Sequence, residues 1–251
     1  MHSLTLTALA DIGEIQPGDD LGGILSEALS RRAADIQAQD VLVVAQKVVS
    51  KAENRYVDLD TVEVSARAAE LGAVTRKDPR LVELILAESS EVLRAKADVL
   101  IVRHRLGFVM ANAGIDRSNV PGSHRVLLLP RDPDASAETL RKAIAARCRI
   151  ELGVVISDSF GRPWRKGVTN VALGAAGVPA LIDRRGEADR NGRRLEVTEV
   201  ALADQIASAA GLIMGEGAEG RPAVLVSGLR WNAATVPASA LIRPLQEDLF
   251  R

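Results

Sequence analysis

Cysteine is almost absent from this chain: Cys148 is the only one in 251 residues, so no internal disulfide framework is possible. It falls in a helical pattern between Arg147 and Arg149 and reads as a packing residue rather than a reactive thiol. Histidine is nearly as scarce. His2, His104 and His124 are dispersed without zinc-type spacing, which leaves mainly oxygen ligands for any metal. The longest apolar runs, such as Val41 to Ala45, are far too short to span a bilayer. Residues 1–11 lack a cationic start and a cleavage pattern, so the cytoplasm is the expected compartment. Net charge is missing too: 32 Lys and Arg against 33 Asp and Glu argue against a general nucleic-acid binder, while a local basic pocket stays open.

What is present suits a soluble α/β protein. The length allows one large domain or two small lobes, and either can bury a real core. Strand-like and helix-like runs alternate, with no repeat. Residues 40–45 form an apolar run of strand length, closely followed by the β-branched pair Val48-Val49. Amphipathic spacing predicts helices over 62–73 and 79–95. Two strands are expected at 98–102 and 108–111. A helix over 136–150 has Ser136 as a possible N-cap, and one over 199–214 has Thr198. A last strand is expected at 223–226. Residues 184–194, with five arginines and two glycines, read as an exposed loop, and the chain from Pro237 as a tail with a short helical pattern. Strand order is not readable.

Residues 153–177 carry the densest chemistry. An apolar run, Val154 to Ile156, ends in Ser157-Asp158-Ser159, then come a glycine, the cations Arg162, Arg165 and Lys166, and two of only six aromatics, Phe160 and Trp164. A buried strand with a carboxylate and hydroxyls at its tip, followed by a basic loop, suits a metal and phosphate groups. A strand end, a turn and a solvated loop would leave the same pattern. Three other polar-glycine segments sit at element ends: 46–53 (Gln46, Lys47, Lys51), 112–119 (Asp116, Asn119) and 214–220 (Met214, Gly215, Glu216, Gly217).

Together these segments hold what phosphoryl transfer requires: carboxylates for divalent ions, a lysine against developing charge, and backbone N–H groups freed by glycine. Each residue has a plainer reading. Lys51 can be a solvated strand-end lysine, Asp116 can cap a turn, and Glu216 can be an exposed turn residue. Phe160 and Trp164 can be core, or Trp164 can stack on a flat ligand. No Walker-type run and no Gly-x-Gly-x-x-Gly opening is read in the chain, so a standard P-loop or Rossmann site is not expected.

In order, these segments resemble the coenzyme F420:L-glutamate ligase family, the gamma-glutamyl ligases of F420 biosynthesis. The matching motifs lie at 48–53, 112–116 with 118–120, 129–134, 157–167, 192–198 and 214–217, and the similarity runs from about Gly18 to Phe250. The resemblance implies a GTP-dependent enzyme that joins L-glutamate to F420-0, adds further γ-linked glutamates, and releases GDP and phosphate. It implies two divalent cations, Mg²⁺ or Mn²⁺, assisted by K⁺. It also implies an unusual α/β fold with mixed sheets in a two-lobed, butterfly-like homodimer, with residues 1–251 as the ligase domain in its stand-alone form.

Carried over by position, Asp116 and Asp158 resemble ligands of one metal, and Ser159 and Glu216 of the second. Asp158 and Lys51 would be catalytic. Lys51 and Asn119 resemble GTP contacts, with Gln46, Lys47 and the 214–221 turn (Met214, Gly215, Glu216 and Gly217 above all) beside the nucleotide, and residues 12–15 align with another nucleotide-contacting stretch. Ser159 replaces a threonine of archaeal relatives and keeps the hydroxyl; Gln46-Lys47 replaces small hydroxyl residues. Expected partners are F420-0, L-glutamate and GTP, with no nucleic acid and no membrane. Two competing readings remain: a metal-dependent phosphohydrolase using water, and a non-catalytic binder of nucleotide or deazaflavin.

Overall fold

The apolar runs of this chain alternate in two directions, and that decides the architecture. In β2 (Val41–Ala45), Leu42 and Val44 face one core cluster while Val41 and Val43 face another. β8 (Gly153–Arg162) sends Val154 and Ile156 one way and Val155 the other, and β12 (Ala223–Ser227) splits Leu225 from Val224 and Val226. A strand apolar on both faces must be covered on both faces. In this computed structural model, which describes residues 3–31 and 36–248, helices do so.

The main sheet has the order β1-β12-β2-β8-β9, with β1 at Thr5–Ala8 and β9 at Arg165–Ala176. Only β2 and β8 run parallel. Helices α1 (Leu21–Ser30) and α5 (Pro133–Cys148) cover one face, with α2 (Gln46–Ala52) at its edge, and α6 (Leu202–Met214) covers the other. A second, smaller core gathers α3 (Ala66–Thr75), α4 (Pro79–Ala87) and strands β5 (Val99–His104) and β7 (Arg125–Leu127). There β4 (Ser89–Lys96), β5 and β6 (Val109–Ala111) form a three-stranded antiparallel sheet, and β3 (Tyr56–Asp58) pairs with β7. The protein is α/β with mixed sheets.

Several sequence expectations are corrected. The helix expected over 79–95 ends at Ala87, and Ser89–Lys96 is β4. Its Val92 joins the smaller core while its other face stays in solvent, an edge-strand pattern that imitates an amphipathic helix. Asp132, not Ser136, caps α5: its carboxylate accepts from Ala135 N at 3.0 Å and Pro133 opens the helix. Ser136 instead hydrogen-bonds Glu53. Thr198 does not cap α6, which starts after Ala201; residues 199–200 form the short strand β11, paired with β10 (Ile182–Asp183). The Arg-rich segment between β10 and β11 is exposed and closed by a bridge between Ala188 and Arg194. The basic loop expected after Asp158 is a hairpin: β8 and β9 stay paired out to Arg162 and Arg165. Phe108 meets Phe160 edge-on at 6.0 Å, whereas Trp164 at the tip is 91% exposed and belongs to no core.

Candidate functional site

β2 stops at Ala45, whose last parallel partner on β8 is Ser157. β8 continues, so Asp158 is the first residue with no strand on that side, and its carboxylate enters a cavity. A register shift assists this: Ile156 faces Gly174 but Ser157 faces Ala172, which leaves Leu173 as an extra residue. The freed Ala172 N–H is taken by Asp204 of α6 at 2.9 Å. Such bulges bend a strand and re-aim the side chains beyond them.

From that same end of β2 the chain turns directly into α2. Gln46 is buried and accepts from Ser50 Oγ at 2.9 Å, while Lys47 and Lys51 reach the same cavity. Asp116 arrives from the smaller core. Ahead of it, Asn112, Ala113 and Gly114 all adopt positive φ (53°, 53° and 67°), a tight reversal that only Gly takes without strain. Asp116 is then pinned by backbone hydrogen bonds with Leu127 in both directions. On the far rim α6 ends at Met214, and Gly215 (φ 75°) turns the chain through Glu216 and Gly217 toward β12.

The residues carried over by position meet here, whereas Phe160, Arg162, Trp164, Arg165 and Lys166 do not line this space. Asp116, Asp158, Ser159 and Glu216 line one cavity of about 490 Å³ together with Lys51 and Asn119. Gln46, Lys47, Met214, Gly215 and Gly217 line it as well. Four segments far apart in the chain therefore converge on one space.

Its electrostatics are unbalanced. Asp158 is pushed up to about 7, chiefly by burial, with the negative charges of Asp116 and Glu216 adding to the effect; a backbone hydrogen bond from Ser159 and the charge of Lys47 oppose it. Burial also opposes ionisation of Asp116. There the ammonium of Lys47 at 2.6 Å and the N–H of Ser118 at 2.6 Å win, and its pKa is lowered. Asp116 thus does cap a turn, through Ser118, while also facing the cavity. Lys51 is not a solvated lysine: its side chain is only 5% exposed, and its ammonium is held by Glu14. Glu216 is exposed at the rim.

A profile of the F420-0:Gamma-glutamyl ligase family matches residues 10–228. The chain belongs to that family. It is 45% identical over 242 residues to the coenzyme F420:L-glutamate ligase of Methanopyrus kandleri, covering 95% of this chain and 94% of that one. It is 42% identical to the protein of that name from Methanothermobacter thermautotrophicus, over 99% of each chain. To the one from Methanocaldococcus jannaschii it is 43% identical over 86% of each. The protein is an enzyme of the ligase class.

In this ligase the candidate metal donors carried over by position are all oxygen: Asp116, Asp158, Glu216 and the Ser159 hydroxyl, which is the chemistry a hard divalent ion takes. Among the described residues no three His, Cys, Asp or Glu side chains stand close enough to form a ready-made cluster. Lys47 occupies the position a cation on Asp116 would hold, bonding also to Ser118 Oγ at 2.8 Å. The excess negative charge around Asp158 still fits a cation, so the residues suit the group without being preassembled for it.

Sequence reasoning overlooked Asn170, which lines the same cavity, and did not single out Glu14 or Arg221, which line it too. Glu14 had a signal within the 12–15 stretch, and Arg221 within the 214–221 turn. It also overlooked that Gly215 to Gly220 has Gly-x-Gly-x-x-Gly spacing. That run leaves a helix for a strand, the reverse of a dinucleotide fingerprint, and supplies a turn rather than a Rossmann opening. No helix among the described residues is long and apolar enough to cross a membrane.

Proposed function

We propose that this ligase adds L-glutamate to F420-0 at the expense of GTP, through an acyl phosphate, and extends the product by further γ-linked glutamates. The observation that carries the reading is the convergence of Asp116, Asp158, Ser159, Glu216, Lys51 and Asn119 on one polar cavity. A terminal carboxylate resists attack by an amine until it has a good leaving group. A carboxylate oxygen of the acceptor attacks the γ-phosphorus, and the bond to the β–γ bridging oxygen breaks, leaving GDP. The glutamate amine then attacks the acyl carbon, phosphate departs, and the amine gives up its proton.

The obstacle in the first step is repulsion between two anions. Asp116 and Asp158 would hold one divalent cation, and Ser159 and Glu216 a second. Mg²⁺ or Mn²⁺ bound there would supply charge neutralisation along the triphosphate tail. K⁺ as an assisting ion and a two-lobed homodimer belong to the same proposal. Lys51 has the role of a buried cation: an incoming phosphate oxygen competes with the solvent-facing Glu14 for its ammonium. Asn119, the turn from Met214 to Gly217, Gln46 and Lys47 would lie beside the nucleotide.

The test is incubation of purified protein with F420-0, GTP, L-glutamate and Mn²⁺, followed by product masses. Glutamyl units added with GDP release support the reading. Phosphate released from GTP without glutamate would point to a phosphohydrolase. Saturable binding without turnover would make it a carrier.

A further inference from the structure

A second cavity, of about 840 Å³, is lined by two of the same carboxylates, Asp116 and Asp158. It shares Gln46, Asp116, Asp158 and Ser159 with the first, so the two spaces meet where Asp158 projects. The walls differ. One is the three-stranded sheet, contributing Ile101, Val109 and Met110; the other is the β8–β9 hairpin, contributing Phe160 and Val168. Val109 and Val168 are 45% and 52% exposed, so the cleft presents apolar surface from both walls. Arg162 and Arg165 stand at the outer end. Among the described residues neither forms an ion pair, and Arg162 donates only to the carbonyl of Lys166 at 3.3 Å.

Resting on the function proposed above, we propose that this second cleft is the acceptor site, and that it takes an elongated anion with an apolar body and negative groups at both ends. The shared end has to receive the carboxylate that is phosphorylated, because only there can it approach a nucleotide lying in the first cavity. The apolar body lies between Val109 and Val168. Arg162 stands four residues beyond Asp158 along β8, about 13 Å at roughly 3.3 Å per residue. A second anionic group at that separation meets two unpaired guanidinium groups, the geometry that selects phosphate or carboxylate. The triphosphate would then occupy the polar cavity of Lys51 and the glycine turn, and the two substrates would enter from opposite sides of Asp158.

The test compares the wild type with Arg162→Gln/Arg165→Gln and with Val109→Asp, all checked for folding by circular dichroism. Affinity for F420-0 is measured by calorimetry with GDP present, and KM for F420-0 and for GTP in the ligation assay. The expected result is a rise in the F420-0 Kd and KM on the order of 10-fold or more, the scale of a lost charge-assisted contact, with the GTP KM little changed. Unchanged F420-0 affinity in both folded variants overturns the assignment. So does a rise confined to the GTP KM, which would exchange the two cavities. If Val109→Asp dissociates a dimer while F420-0 affinity stays the same, the cleft is a contact between copies and the proposal falls. A wild-type protein that ligates nothing would instead defeat the proposed function, which separates the two failures.

Discussion

Replacing Asp158 by Asn should make the metal-free protein more stable and the enzyme nearly inactive. Folded, Asp158 has a pKa near 7 against an ordinary 3.8, mainly because burial disfavours its charge and Asp116 and Glu216 add repulsion. Between those two values the folded chain holds a proton that the unfolded chain has released. Stability from this group is therefore complete below about pH 4 and is lost as pH rises through 7. The rise from 3.8 to about 7 corresponds to about 4 kcal/mol at the alkaline end, taking 1.4 kcal/mol per pH unit. Asn cannot ionise, and its amide needs partners of its own, so a net gain of about 2 kcal/mol at pH 8 is expected. Turnover should fall on the order of 10²-fold or more, because the carboxylate that balances a cation at the reacting centre is gone. Urea unfolding in a chelating buffer at pH 5 and pH 8 reads the first effect, and GDP release with F420-0 and glutamate reads the second. Parallel pH slopes for the parent and Asp158→Asn would refute the electrostatic reasoning, and near-normal GDP release would refute the role.

Other perturbations test separate parts of the structure. Burial works against the charge of Glu88, but His104, Arg105 and Arg55 outweigh it and lower its pKa to about 2. Its stabilisation is present above pH 4.5 and lost as pH falls toward 2, so Glu88→Gln should cost about 2–3 kcal/mol at pH 7 and flatten acid unfolding; an unaltered acid limb would contradict this. Lys47→Met removes the ammonium 2.6 Å from Asp116; Mn²⁺ affinity without nucleotide, read by calorimetry, should rise about 10-fold as one competing cation disappears, and weaker Mn²⁺ binding would count against it. Asp134 accepts from the N–H groups of Ala175, Ala238 and Ser239. Asp134→Ala strands three donors and should cost about 2–4 kcal/mol in urea unfolding, with no change in the KM for GTP. Gly174→Val drives a side chain into the Pro133 carbonyl at the start of α5; the expected outcome is insoluble or strongly destabilised protein, and a normal melting temperature would contradict the packing.

The apolar runs at 41–45, 154–156 and 223–226 were legible as strands because a strand covered on both faces needs no polar alternation. α6 was legible because its buried residues recur at helical spacing, though its start was not: the cap was sought at Thr198, where the chain is still extended. β4 was misread because a half-buried edge strand with two register shifts has no clean period of two. The hairpin tip was missed for a related reason. Beyond Phe160 its residues are exposed, so nothing apolar marks them as strand, and pairing alone keeps them extended.

The candidate site divides along the same line. Residue types and their order along the chain, with Lys51, Asp158 and Glu216 beside glycine or serine and Asp116 two residues from Gly114 and Ser118, were determined by the sequence and sufficed to indicate a family and its chemistry. That these groups face one another was decided by the fold. β2 ends one residue short of Asp158, a bulge in β9 bends the hairpin, and a left-handed turn delivers Asp116 from a different core. The same tertiary structure decided that Lys47 sits on Asp116 and that a second, more apolar cleft shares Asp158 with the first. Local pattern is a property of neighbours along the chain, whereas a carboxylate's pKa and a cavity's walls depend on what long-range packing sets beside them.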